Sequence, residues 1–162
     1  MSRHRIPAVF IRGGTSKGVF FHDRDLPAPG MERDSVFLNV IGSPDPYQRQ
    51  LNGMGGGISS LSKAVIIEPS KRDDADIDFT FAQVAVDRPE VVYTNTCGNL
   101  SSAVGPFAVD EGLVEPVDGE VLVRVFNTNT SKIYHARFNA EDGQAVETGS
   151  FEIPGVAGTG AK

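Results

Sequence analysis

Tryptophan is missing from this chain, and cysteine occurs once, as Cys97. A single thiol cannot build an internal disulfide framework, so the fold must stand on its core, and a reducing, cytoplasmic setting suits it. Only three histidines are present (His4, His22 and His135), and they are scattered without metal-ligand spacing. No basic block occurs and the formal charge is −6, which argues against a nucleic-acid partner. No apolar run is long enough to span a membrane. Met1 to Pro7 lacks the apolar stretch of a signal peptide.

What is present is a soluble, core-forming composition: 162 residues, 40% hydrophobic and 22% charged. Glycine and proline are abundant, at 18 and 10 residues. The glycines cluster at Gly13-Gly14, between Gly53 and Gly57, and between Gly155 and Gly160. Such clusters mark sharp turns or close backbone approaches.

The pattern is strand-dominated. Ile6–Ile11 and Gly18–His22 read as strands joined through Gly13 to Lys17 as a hairpin. Glu32–Ile41 has one apolar face at helical spacing. Lys63–Ile67, Ile77–Val86 and Val91–Tyr93 read as strands, with Ile77, Phe79 and Phe81 on one side. Leu100–Val109 reads as a helix with a kink or short break at Gly105-Pro106. Val121–Phe126 and Ile133–Phe138 flank a turn over Asn127–Lys132, and Gln144–Phe151 reads as a last strand. Two helices among these strands make an α+β fold. Residues 155–162 have the composition of a linker, which suggests that residues 1–154 form one domain of a larger protein.

Three glycine-rich, polar turns carry the candidate chemistry. Arg12-Gly13-Gly14-Thr15-Ser16-Lys17-Gly18 lacks the glycine-lysine-serine/threonine order of a phosphate loop, which sets nucleotide binding aside. Its backbone N–H groups and the hydroxyls of Thr15 and Ser16 suit a small carboxylate, although an ordinary hairpin turn explains it as well. The stretch Asn52 to Lys63 opens like a dinucleotide fingerprint, but Ile58 stands where the third glycine belongs, so that reading fails. Lys63 begins an apolar strand; desolvation there would lower its pKa and make it a general base, against the plainer reading of a solvated strand-end lysine. Cys97, in Thr94-Asn95-Thr96-Cys97-Gly98-Asn99, lies just before a helix, where the dipole and unpaired N–H groups favour thiolate and bound anions. A buried structural cysteine is the alternative. No neighbouring histidine supports a cysteine protease.

Together, Phe10 to Gly18, Gly53-Met54-Gly55-Gly56-Gly57, Ser60-Leu61-Ser62-Lys63 and Asn95-Thr96-Cys97-Gly98-Asn99 resemble the PrpF family. That family includes methylaconitate cis-trans isomerases, 3-methylitaconate isomerases and 4-oxalomesaconate tautomerases. The resemblance implies one half of a diaminopimelate-epimerase-like fold, a mixed and mostly antiparallel sheet wrapped around a central helix. It implies a cofactor-free, metal-free cleft shared with a second domain that is absent from this chain, 155–162 being the start of the interdomain linker. Lys63 and Cys97 fall on the family's catalytic lysine and cysteine. Thr15, Ser16, Asn52, Gly56, Gly57, Gly98 and Asn99 are then expected to bind substrate, a small unsaturated di- or tricarboxylate. Leu100-Ser101-Ser102 replaces the glycine that diaminopimelate epimerases carry after cysteine-glycine-asparagine, which argues against an amino-acid epimerase. The competing readings are that epimerase and a non-catalytic carboxylate-binding or interaction module, with a homo-oligomer as a further assembly. The isolated half is expected to be inactive.

Overall fold

A computed structural model describes residues 4–115 and 117–162. The chain forms β1 (Val9–Gly13), β2 (Ser16–His22), α1 (Met31–Ile41), β3 (Lys63–Pro69), β4 (Ile77–Val84), β5 (Val91–Val92), α2 (Gly98–Asp110), β6 (Gly119–Asn127), β7 (Lys132–Glu141) and β8 (Gln144–Ala145). One sheet runs β1-β2-β3-β4-β6-β7-β8, with β5 also on β4. Its pairings are antiparallel except β2–β3 and β4–β6.

Strict alternation gives the sheet two buried faces. Phe20, Val65, Ile67, Ile77, Phe79, Phe81, Val121, Val123 and Val125 point inward and pack on Leu100, Val104, Phe107 and Ala108 of α2. Val19, Phe21, Ala64, Ile66, Ala82 and Val84 point outward and are covered by Phe37 and Ile41 of α1. Both faces being apolar explains why β2 and β3 read as continuous hydrophobic runs. The inner helix is anchored at its far end, where His22 Nε2 lies 3.0 Å from Glu111 Oε2.

The edge of β4 is shared. Ile77 to Phe79 pair with β6, and Gln83 and Val84 with β5. Asn129 fills the gap between them. Its carboxamide accepts from Phe81 N–H at 2.7 Å and donates to Phe81 C=O at 2.9 Å and Tyr93 C=O at 2.7 Å. A buried edge would otherwise leave those backbone groups unpaired.

The expectations for α2 and for the last strand change. α2 starts two residues earlier than the apolar pattern suggests and runs through Pro106 without a break. The proline takes a donor from Ser102 C=O, but Ser102 is exposed, so the loss is a mild one. Gly105 has its own reason: a Cβ there would lie 2.7 Å from Phe138 Cε1 and 2.8 Å from Ala136 Cβ, so glycine lets β7 close on the helix. The last strand is only Gln144–Ala145; Phe151 then forms an isolated bridge with Gly160. The 155–162 stretch doubles back, and Ala161 N–H donates to Glu147 C=O at 2.9 Å.

Candidate active site

The inner stripes of four strands end in polar residues at the same end of the sheet. Ser16 starts β2, Lys63 starts β3, Gln83 lies near the end of β4 and Asn127 ends β6. The strand directions bring these ends together, because β3 runs parallel to β2 while β4 and β6 run the other way. The N-terminus of α2 lies at this rim. Ser16, Lys63 and Asn127 are buried despite their polarity, at 4%, 6% and 4% exposure. Buried polar groups need partners, and each has one.

Cys97 is the N-cap of α2. Its backbone is extended (φ −123°, ψ 105°), and its Sγ accepts from Leu100 N–H at 3.5 Å. This is the N-cap to N3 bond usually made by serine or aspartate. The thiol also lies 3.7 Å from Ser16 Oγ. The N–H groups of Gly98 and Asn99 point out of the first turn with no acceptor among the described residues. A Cβ on Gly98 would meet nothing within 4 Å, so open space lies in front of it.

Lys63 is held from three sides. Nζ donates to Gln83 Oε1 at 2.7 Å and lies 5.0 Å above the Phe81 ring. Gly18 presses on its backbone; a Cβ there would be 2.9 Å from Lys63 C=O. Burial pushes the lysine pKa below its ordinary value of 10.5, while negative charge on Cys97 acts in the opposite direction. Lys63 and Cys97, 34 positions apart in the chain, therefore sense each other electrostatically.

The β1–β2 turn is glycine-rich because it docks on the helix start. A Cβ on Gly13 would sit 2.5 Å from Asn99 C=O, and one on Gly14 would sit 2.2 Å from Asn99 Oδ1. Gly14 also needs φ +52°. The contact is sealed by Thr15 N–H donating to Asn99 Oδ1 at 3.3 Å. Thr15, Ser16, Lys63, Cys97, Gly98 and Asn99 thus gather at one rim.

Asn52, Gly56 and Gly57 are arranged differently. Their loop is organised by Gln50, which is 1% exposed. Gln50 Oε1 accepts from Gly57 N–H and from Ser62 Oγ, both at 2.8 Å, and its Nε2 donates to Ser43 Oγ at 2.8 Å. The Gly57 N–H is therefore already engaged within the loop. Asn52 is exposed, and no hydrogen bond ties it to Lys63 or Cys97.

Four polar side chains at the rim and in the loops beside it escaped the motif reading: Gln50, Gln83, Asn127 and Asn129. Asn127 Nδ2 donates to Thr96 Oγ1 at 2.7 Å, tying the β6 end to the residue before Cys97. A usable signal existed for two of them. Gln83 follows Ile77, Phe79 and Phe81, and Asn127 follows Val121, Val123 and Val125, each as the polar end of an inward stripe.

A mixed sheet curled around one helix is half of an epimerase-type fold. A solved hydroxyproline epimerase from Agrobacterium vitis superposes on 86% of this chain, and 39% of its own, with a TM-score of 0.54 at 15% identity. The family is narrower: the chain belongs to the PrpF protein family, whose model matches residues 3–162. It is similar to a 2-methyl-aconitate isomerase of Cupriavidus necator, 49% identical over 94% of this chain and 40% of the relative. It is also 49% identical to a 4-oxalomesaconate tautomerase of Pseudomonas putida, over 99% of this chain and 44% of that protein. A crystal structure of a methylitaconate-delta-isomerase matches with a TM-score of 0.92 at 47% identity, covering 96% of this chain and 40% of that one. The chain thus spans about two fifths of the length of these relatives.

Proposed function

We propose that this chain is the N-terminal half of a cofactor-free isomerase that moves a proton, and with it a double bond, in a small unsaturated di- or tricarboxylate. One observation carries the reading: a buried lysine and an N-capping thiol converge where a helix presents two unpartnered N–H groups to open space. That combination offers proton transfer and anion stabilisation at a single point.

In this reading the substrate carboxylate, or the oxygen next to the reacting carbon, rests on Gly98 and Asn99 N–H, with Thr15 and Ser16 orienting a second carboxylate. Lys63 enters as the neutral amine and removes a proton from carbon. The electron pair is delocalised into the conjugated carboxylate as an enolate-like anion. Cys97 returns a proton to the other end of the conjugated system, and the double bond moves. The reverse reaction exchanges the two roles. Helix-end stabilisation of the developing charge is the largest single contribution. The relatives' names, methyl-aconitate isomerase and oxalomesaconate tautomerase, describe this class of substrate for those proteins. A reducing compartment such as the cytoplasm keeps the lone thiol in the state this chemistry needs.

The test is turnover of 2-methylaconitate, methylitaconate and oxalomesaconate by the complete protein, with residues 1–162 alone in parallel. One of the three substrates is expected to turn over with the complete protein, and the isolated half to be nearly inactive. Strong activity from residues 1–162 alone contradicts the shared cleft, and exchange at the alpha carbon of an amino acid would favour an epimerase instead.

A further inference from the structure

Like Asn127, Gln83 has its side chain locked at both ends, and of the two it is Gln83 that bonds Lys63. Its Nε2 faces the carbonyl oxygens of Ser62 at 2.9 Å, Ser59 at 3.1 Å and Val84 at 3.4 Å. Three acceptors around one end of a carboxamide require that end to be the donor, so the other end is the oxygen. That oxygen receives Lys63 Nζ at 2.7 Å. Lys63 and Gln83 are also direct cross-strand partners on β3 and β4, which sets their separation through the sheet.

We propose that Gln83 is a positioning residue for Lys63: its uncharged carboxamide oxygen fixes the direction of the amine without supplying the counter-charge that would lock it as an ammonium.

This rests on the reading of Lys63 as the base. A neutral amine has two N–H bonds and one lone pair. Giving one N–H to a fixed acceptor orients the lone pair, and the same acceptor serves after protonation. The surroundings leave the balance adjustable. Burial disfavours the ammonium, while the Phe81 face favours it. From β2, the uncharged Ser16 and Gly18 face this end. From the turn before β3, Ser59 and Ser62 contribute carbonyls to Gln83. From the start of α2, Cys97 is the one titratable group among the described residues whose charge acts on Lys63. A carboxylate at position 83 would add a permanent opposite charge at hydrogen-bond distance, which typically moves a pKa by about one to three units.

The experiment measures pH–rate profiles and melting temperatures for the complete protein and its Gln83→Glu, Gln83→Met and Lys63→Ala variants. Gln83→Glu is expected to move the rising limb of kcat to higher pH by about one unit or more, cutting the rate near neutrality and recovering it in alkali. Gln83→Met removes the acceptor without adding charge; kcat is expected to fall about tenfold with KM nearly unchanged and no alkaline shift of the limb. It also keeps the test readable if the glutamate variant, which faces three carbonyls, folds poorly. A Gln83→Met variant with wild-type kcat overturns the proposal. So does an equal loss from both substitutions at every pH, which is what a purely structural role produces. If Lys63→Ala itself retains activity, the reading of Lys63 as the base fails; if Lys63→Ala is dead while Gln83→Met is normal, only the role of Gln83 fails.

Discussion

Two glycine-rich turns of this protein look alike as sequence and behave differently as structure. In the β1–β2 turn, Gly13 and Gly14 are glycines because the first turn of α2 lies against them, and the helix keeps its own first N–H groups unspent. In the loop from Gly53 to Gly57, the glycines lie against the end of α1, Gln48, Gln50 and Leu61. There Gln50 consumes the Gly57 N–H, and Gly57 takes φ +75°. Glycine content therefore reports close approach in both places, while the unpaired N–H groups of Gly98 and Asn99 stand beside the β1–β2 turn.

The sharpest way to break this contrast is to remove the proposed acid and base. Lys63→Ala and Cys97→Ala in the complete protein should each lower kcat by about a hundredfold or more with folding intact, read by steady-state kinetics alongside circular dichroism. On the other side, Gln50→Leu strips partners from Ser62 Oγ and Gly57 N–H. It should cost about 1–3 kcal/mol of stability by denaturant titration, with kcat of the folded enzyme largely retained. If Gln50→Leu abolished turnover at full stability, the loop would belong to the chemistry after all.

Gly98→Ala is a finer probe. Its Cβ meets open space, so stability should hold within about 0.5 kcal/mol. A substrate resting on the helix start would meet that methyl group, and kcat/KM should fall about tenfold, on the order of 1.4 kcal/mol. The smallest effect is expected at Asn52, which makes no hydrogen bond to the rim: Asn52→Ala should leave kcat/KM within about threefold of the parent.

The pH dependence follows from burial of Lys63. Its folded-state pKa is lowered from 10.5, so the neutral base appears at lower pH than for a solvated lysine, and kcat should rise with pH along a limb below 10.5. The linked stability has a matching sign. Between the lowered folded value and the ordinary one, the unfolded chain holds more protons, so stability rises as pH climbs through that window.

Much of this was legible from residue patterns. The hairpin at Gly13-Gly14, the helix ending at Ile41, the Ile77–Phe79–Phe81 stripe and the position of Cys97 before a helix all depend on local periodicity or a cap, which nearby residues determine. Pro106 was harder to read because helix packing against β7 overrides a local penalty. Gln50 and Asn129 were invisible for a different reason. Each acts across the chain, Asn129 reaching back 48 positions to Phe81, and no local pattern marks a polar side chain as the partner of distant backbone. The difference between the two glycine turns belongs to that same category, since it depends on where Gln50 spends its acceptor.

Deuterium incorporation from heavy water tests the central claim most directly. During turnover of a methylaconitate-type substrate, the complete protein should place solvent deuterium at the carbon that receives the returning proton, and Lys63→Ala and Cys97→Ala should each abolish that incorporation while still binding substrate. Incorporation at the parental rate in either variant would contradict the assignment of that residue to the proton path.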